Sequence, residues 1–257
     1  MRNILTISKI MLKESRRDKI FIGLLLFLFL LFVFSVYIST LSLGTVARFI
    51  ENTGMLGIAM VCLMVAILFG LFSLYREKDR NELYVLINRV PRYIYLLGRL
   101  LGTAYVITIF AFAAGLGIFL LTWFFGHVYA PELFWAVYWA VLEFTLLTGV
   151  GLFFYTIGLS FTLNSLMVLC VFIVGHSMNE AVESFVALGR LGNKLHLMAV
   201  KTISCIFPNF DMFDFRLAIV HAESIPVGQI AISTFYWVFY LSALLAVSSI
   251  IINRRDI

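Results

Sequence analysis

Polar positions are so sparse along this chain that they mark out long apolar runs between them. Six runs stand out, at 20–43, 55–75, 100–125, 133–158, 163–179 and 227–252. Each is close to or above the ~20 residues that a helix needs to cross a hydrocarbon core of about 30 Å. The short alternating segments of a membrane barrel are absent. Every backbone amide in a bilayer must be bonded within its own segment, so these runs read as helices. The pattern predicts an all-α integral membrane protein with six transmembrane helices. The fifth run is the shortest and carries His176 and Asn179 near its end. The first run is longer than the ~7–15 apolar residues of a secretory signal and no Ala-x-Ala site follows it, so it reads as a retained span.

Two polar segments break this pattern in an ordered way. Residues 1–19 mix Ile4, Ile7, Ile10 and Met11 with Lys9, Lys13 and Arg17, the spacing of an amphipathic helix with a cationic face. Such a helix lies in the membrane interface with its bases near anionic head groups, or serves only as a basic topogenic flank. Residues 76–99 are more specific. Leu83, Leu86, Ile87 and Val90 form an apolar stripe at helical spacing, while Glu77, Arg80, Asn81 and Asn88 take other faces. Pro91 ends that helix, because it lacks an amide donor and restricts the residue before it. Tyr93 and Tyr95 then suit a membrane interface. A short helix between two spans either transmits a push to both or merely rests on the bilayer.

Composition agrees with the pattern, since 62% of residues are hydrophobic and 13% charged, against roughly 45–50% and 25% in soluble domains. Cys62, Cys170 and Cys205 share no close spacing, which favours packing over a disulfide or a metal site. Charge placement gives an orientation. Fourteen Lys and Arg residues fall in the 2–19, 76–99 and 254–255 segments, and five fall elsewhere, at Arg48, Arg190, Lys194, Lys201 and Arg216. The positive-inside rule puts the first set, and both termini, in the cytoplasm. The net charge of +5 is mostly this asymmetry, not a nucleic-acid surface.

The segment after the second run carries a resemblance. Glu77, a Leu-rich helix, Pro91-Arg92 and then Tyr95-Leu96-Leu97-Gly98-Arg99-Leu100-Leu101-Gly102 resemble the ABC-2 type permeases, the transmembrane subunits of ABC exporters. Phe207-Pro208-Asn209 is similar to the family's Leu-Pro stretch before the last span, and Asn253-Arg254-Arg255-Asp256-Ile257 to its Arg-Arg-Asp-Leu ending. Within that class the chain is most similar to the permeases named for multicopper-enzyme maturation. Two departures are visible. Asn81-Glu82 stands where the family often has Gly-Thr, and Pro91 and Arg92 are adjacent where the family spaces them.

The resemblance implies a single domain over 1–257, in which 76–99 is a cytoplasmic coupling segment seated in an ATPase subunit. It implies that Glu77, Arg80, Glu82, Asn88 and Arg89 make that contact, with Pro91 as the helix stop and the turn near Thr162 and Asn164 as a second contact. It further implies two cytoplasmic ATPase subunits holding ATP and Mg, a second permease copy (most simply a homodimer), and a place in the inner membrane of the cell. The chain itself has no Gly-x4-Gly-Lys-Ser/Thr loop, so neither a cofactor nor a catalytic residue is expected on it. The predicted role is a permease subunit of an ATP-driven exporter working by alternating access. The rival classes are a scaffold or channel without an ATPase, and an intramembrane enzyme. The histidines, at 127, 176, 196 and 221, lack the His-Glu-x-x-His spacing of a metalloprotease.

Polar groups inside the runs are the only clue to cargo. Glu143 lies about 16 Å into the fourth run, where an ionisable side chain is costly and defaults to function. His176 is its candidate partner, either on a translocation path or as a tie between helices. Gly151, Gly158 and Gly175 read as sites of close helix contact. Residues 180–225, the longest segment between runs, are expected outside, as re-entrant or interfacial helices. There Phe210, Met212, Phe213 and Phe215 alternate with Asp211 and Asp214, to dock a partner or to lie in the interface.

Overall fold

The computed structural model describes residues 2–41, 46–79, 91–187, 207–220 and 227–254, with no strand among them. The helices are α1 (Arg2–Arg17), α2 (Lys19–Leu41), α3 (Val46–Val65), α4 (Phe72–Asp79), α5 (Arg92–Gly126), α6 (Leu133–Ile157), α7 (Phe161–Ala187), α8 (Arg216–Val220) and α9 (Val227–Arg254). A π-helical turn, Ala66–Leu71, joins α3 to α4 without a break, and a 3₁₀ turn, Phe210–Phe213, precedes α8.

Five helices are long and apolar enough to cross a membrane: Lys19–Thr40, Val46–Glu77, Arg92–Gly126, Leu133–Ile157 and Gly228–Ile252. They make the protein an all-helical, multi-pass membrane protein. The fifth apolar run is different. Its helix, α7, has 27 residues, but only Phe161–Ser177 is apolar. Beyond that point Asn179, Glu180 and Glu183 enter the helix.

The second and third helices outrun the apolar runs that predict them. The second begins at Val46 and takes in Arg48, Glu51 and Asn52. The third has 35 residues, or about 52 Å of rise, well beyond a hydrocarbon core. Residues 76–79 and 92–99, expected as parts of one coupling segment, are therefore the end of α4 and the start of α5. Their polar residues stay helical because they neutralise one another, as described below. Pro91 caps α5 at its start, accepting from the Ile94 and Tyr95 amides, the position where a missing N–H costs nothing.

Small residues set the packing. α3 and α5 are antiparallel: Gly126 lies against Ala47 at one end, and Gly70 against Thr103 toward the other. A Cβ at Gly151 would come within 2.4 Å of Leu71, so α6 approaches the π turn closely there. α6 and α9 run parallel, tied by Trp139 to Ser233 at 3.3 Å and by Trp237 to Thr145 at 3.2 Å. α6 is apolar on all sides and sits at the centre, while α2 and α9 bury little of their surface. Gly158 has another role than close contact, since it ends α6 with φ 94°.

The N-terminal helix does more than rest on an interface. Ser8, Met11 and Ser15 are buried on one face, and Met11 covers Gly102 and Thr103 of α5. Lys9, Lys13 and Arg17 form the opposite, exposed stripe. Arg76 of α4 reaches Glu14 at 2.5 Å and Asp18 at 2.7 Å. These acids, overlooked when only the basic face is counted, fasten α1 to the bundle.

Candidate functional site

Two polar clusters lie within the bundle, one near the C-terminal end of α6 and one near its middle. The first joins α4 to α5. Glu77 is 9% exposed and Arg99 only 2%. Arg99 Nη1 donates to Glu77 Oε1 at 2.8 Å, and the Tyr95 hydroxyl donates to Glu77 Oε2 at 2.7 Å. Tyr95 and Arg99 are i and i+4 on α5, so both reach one carboxylate. Beside them the Tyr75 hydroxyl donates to the Leu159 carbonyl at 2.8 Å, and Asn164 donates to Tyr75 and to the Gly151 carbonyl, each at 3.0 Å. Arg92 donates to the Ile252 carbonyl at the end of α9. Thus α4, α5, α6, α7 and α9 are cross-tied at one end of the molecule.

The residues of the expected contact set take different positions in the fold. Glu77 points inward and has both oxygens engaged by α5, through Arg99 and Tyr95. Asn164 is fully buried, whereas Thr162 is exposed. Tyr95 is buried and Tyr93 is exposed, so only Tyr93 suits an interface. Arg80, Glu82, Asn88 and Arg89 lie outside the described residues.

The second cluster centres on Glu143 of α6, 8% exposed, whose Oε1 lies 3.3 Å from His176 Nε2 on α7. The sequence pairs these residues, and the structure brings them together. His176 Nδ1 is 3.2 Å from the Phe172 carbonyl. A carbonyl only accepts, so Nδ1 carries a proton. A proton at the 3.3 Å Nε2–Oε1 contact would make the pair imidazolium with carboxylate or imidazole with carboxylic acid. Either form is neutral as a pair, which is how two ionisable groups survive this depth.

The pair opens on a cavity of about 310 Å³ between α3, α6, α7 and the 207–220 segment. The aromatics of that segment pack into the bundle. Phe210 and Phe213, three apart in a 3₁₀ turn, point the same way, and both are buried. Phe210 stacks on the His176 ring at 5.6 Å, and Phe215 stacks on Trp139 at 4.0 Å. Gly175 admits this approach, for a Cβ there would lie 2.5 Å from the Pro208 carbonyl. Asp214 and Arg216 thereby reach the cavity lining.

No protein-family model matches the chain, and no curated protein matches it. The site must therefore be read from its own residues. Trp139, Asp214 and Arg216 are the lining groups that pattern reading missed. The spacing of Phe210, Phe213 and Phe215 was the signal available for them, since a strip that places aromatics on one face is built to pack.

Proposed function

We propose that the chain is the membrane-spanning permease subunit of an ATP-driven ABC exporter of the ABC-2 type, with six membrane passes and both termini in the cytoplasm. One observation supports this above others. The stretch bearing the family-like Pro91-to-Gly102 pattern begins a helix cross-tied to the preceding one by Glu77, Tyr95 and Arg99. A force applied between residues 79 and 91 then reaches two long helices together, as a coupling segment requires. The long α4–α5 end carries Arg76, Lys78, Arg92 and Arg99, beside the cationic stripe of α1, in keeping with a cytoplasmic position.

In this reading two copies of a separate ATPase bind ATP and Mg, a second permease copy completes the pore, and Glu143 and His176 lie on the path between the halves of the cycle. The chain supplies movement and passage, with no catalysis of its own. The test is purification from the native membrane in a mild detergent. An ABC ATPase should accompany the chain, and Arg89→Glu should lower transport-linked ATP hydrolysis by tenfold or more. Absence of any ATPase, together with an Arg89→Glu variant of full function, would leave the scaffold or channel reading in its place.

A further inference from the structure

The cavity beside Glu143 has a volume of about 310 Å³, at the lower end for pockets that hold one small molecule. Its α3 wall is apolar, and Leu56 and Met60 of that wall are also exposed on the outer flank of the chain. The mouth therefore opens on an apolar surface. Its far end is polar and unevenly charged. Glu143 and Asp214 line it as acids, and Arg216 is the fixed cation among the lining residues. Trp139, Phe144, Phe172, Phe213 and Phe215 add five aromatic rings to the lining. Carboxylates and a wall rich in aromatic rings together favour an organic cation over an anion. Glu143 engages His176 through Oε1, and Oε2 makes no hydrogen bond among the described residues.

We propose that this cavity binds a small organic cation with an apolar body, taken up in exchange for the proton that Glu143 and His176 share. With that proton in place the pair is neutral, and a second positive charge beside it would be buried without compensation. When the proton leaves to water, Glu143 is a carboxylate facing the cavity through Oε2, and neutral His176 keeps its Nδ1–H on the Phe172 carbonyl. The bound cation restores neutrality. The other charged and titratable groups within reach of Glu143 are Asp211 on the 3₁₀ turn, Asp214 after it, Arg216 on α8 and Cys62 on α3. As a cargo site this rests on the exporter reading; as a binding site it does not.

The test uses the full chain, purified alone in an uncharged maltoside detergent. The probe is octyltrimethylammonium, whose charge is independent of pH, followed by equilibrium dialysis and by tryptophan emission from Trp139 against a Trp139→Phe control. One site per chain is expected, tightening with rising pH by up to about tenfold per unit while one proton is released. Octyl sulfate should bind at least tenfold more weakly. Glu143→Gln should weaken the cation at least tenfold, and Asp214→Asn, which leaves the buried pair intact, should weaken it less. His176→Gln should still bind the cation and still release a proton, because Glu143 then holds it alone, whereas Glu143→Gln combined with His176→Gln should leave a flat pH profile. Equal binding of octyl sulfate, undiminished binding by Asp214→Asn and Glu143→Gln, or a pH slope that survives Glu143→Gln combined with His176→Gln would overturn the proposal. No ATPase enters this assay, so loss of binding leaves the coupling reading intact, and failure of an ATPase to co-purify leaves the binding measurable.

Discussion

At the level of single residues, the Glu77–Arg99 pair has the most to lose. Arg99 is almost fully enclosed, and its Nε and Nη2 find no hydrogen-bond partner among the described residues. Removing Glu77 alone leaves that guanidinium buried and unpaired, which costs about 3–5 kcal/mol. Glu77→Gln should therefore lower the thermal midpoint of the detergent-solubilised chain more than Glu77→Gln combined with Arg99→Met, and a double-mutant cycle measures the difference. If the double variant were the less stable, the pair would not be the enclosed, self-contained unit described above. Gly175 makes a separate prediction. A methyl there meets the Pro208 carbonyl, a backbone atom that cannot swing aside. Gly175→Ala should cost about 1–3 kcal/mol in the same melt, whereas Gly23→Ala, with nothing nearby, should not. The sequence shows that Glu77, Arg99 and Gly175 are unusual where they stand. It does not show that Glu77 faces α5, because an acid after an apolar run looks the same whether it meets solvent or a partner one helix away.

The elements repeat this lesson. Helix type and approximate position follow from apolar length, but helix ends do not, since paired charges let α3–α4 and α5 extend past their apolar runs. The π turn at Ala66–Leu71, where the Phe72 amide bonds to the Ile67 carbonyl, has no mark in the hydrophobic pattern. Inserted π turns occur often at functional positions, and this one lies where Gly70 fits between Thr103 and Thr148. For α1 the decisive contact is with Arg76. Burial acts to raise the Asp18 carboxyl, but hydrogen bonds from Arg76 and from the Ile20 and Lys19 amides, with the Arg76 charge, outweigh it and hold its pKa below the usual 3.8. A lowered pKa means that the folded state prefers the carboxylate. The resulting stability is present above about pH 4 and fades as pH falls through the lowered value. The protection of α1 amides, measured as exchange relative to the intrinsic rate at each pH, should therefore fall below about pH 4. Asp18→Asn should show the quicker exchange already at neutral pH, with a loss of no more than about 1 kcal/mol for so accessible a pair. Unchanged exchange in Asp18→Asn would mean that Met11 packing alone holds α1.

For the whole molecule the open question is whether α7 crosses the membrane. Its 17-residue apolar stretch, Phe161–Ser177, gives about 25 Å, less than a hydrocarbon core. Composition alone would leave it a partial insertion, and hydropathy counting cannot decide the matter. The contacts bear on it. α9 runs parallel to α6, matching Trp139 with Ser233, Thr145 with Trp237 and Gly149 with Leu241. For α9 to begin beside the start of α6, the chain must first travel back along the length of α6, and α7 is the element between them. His176 already stands fifteen residues into α7, about 22 Å, where it meets Glu143. On the six-pass reading proposed above, the Glu143–His176 pair completes a crossing that apolar length alone falls short of. Reporter fusions give the outcome directly. A reporter that is active only in the cytoplasm should work at both termini and fail in the 128–132 turn, and an export-dependent reporter should give the reverse. Termini on opposite sides would mean that α7 does not cross. A second arm ties this to the pair: with both Glu143→Leu and His176→Leu in place, the crossing should persist, because two apolar residues serve the same depth without a shared proton. His176→Arg combined with Glu143→Leu, which sets a fixed cation in the helix interior without its acid, should reduce the fraction of chains with the C-terminus inside.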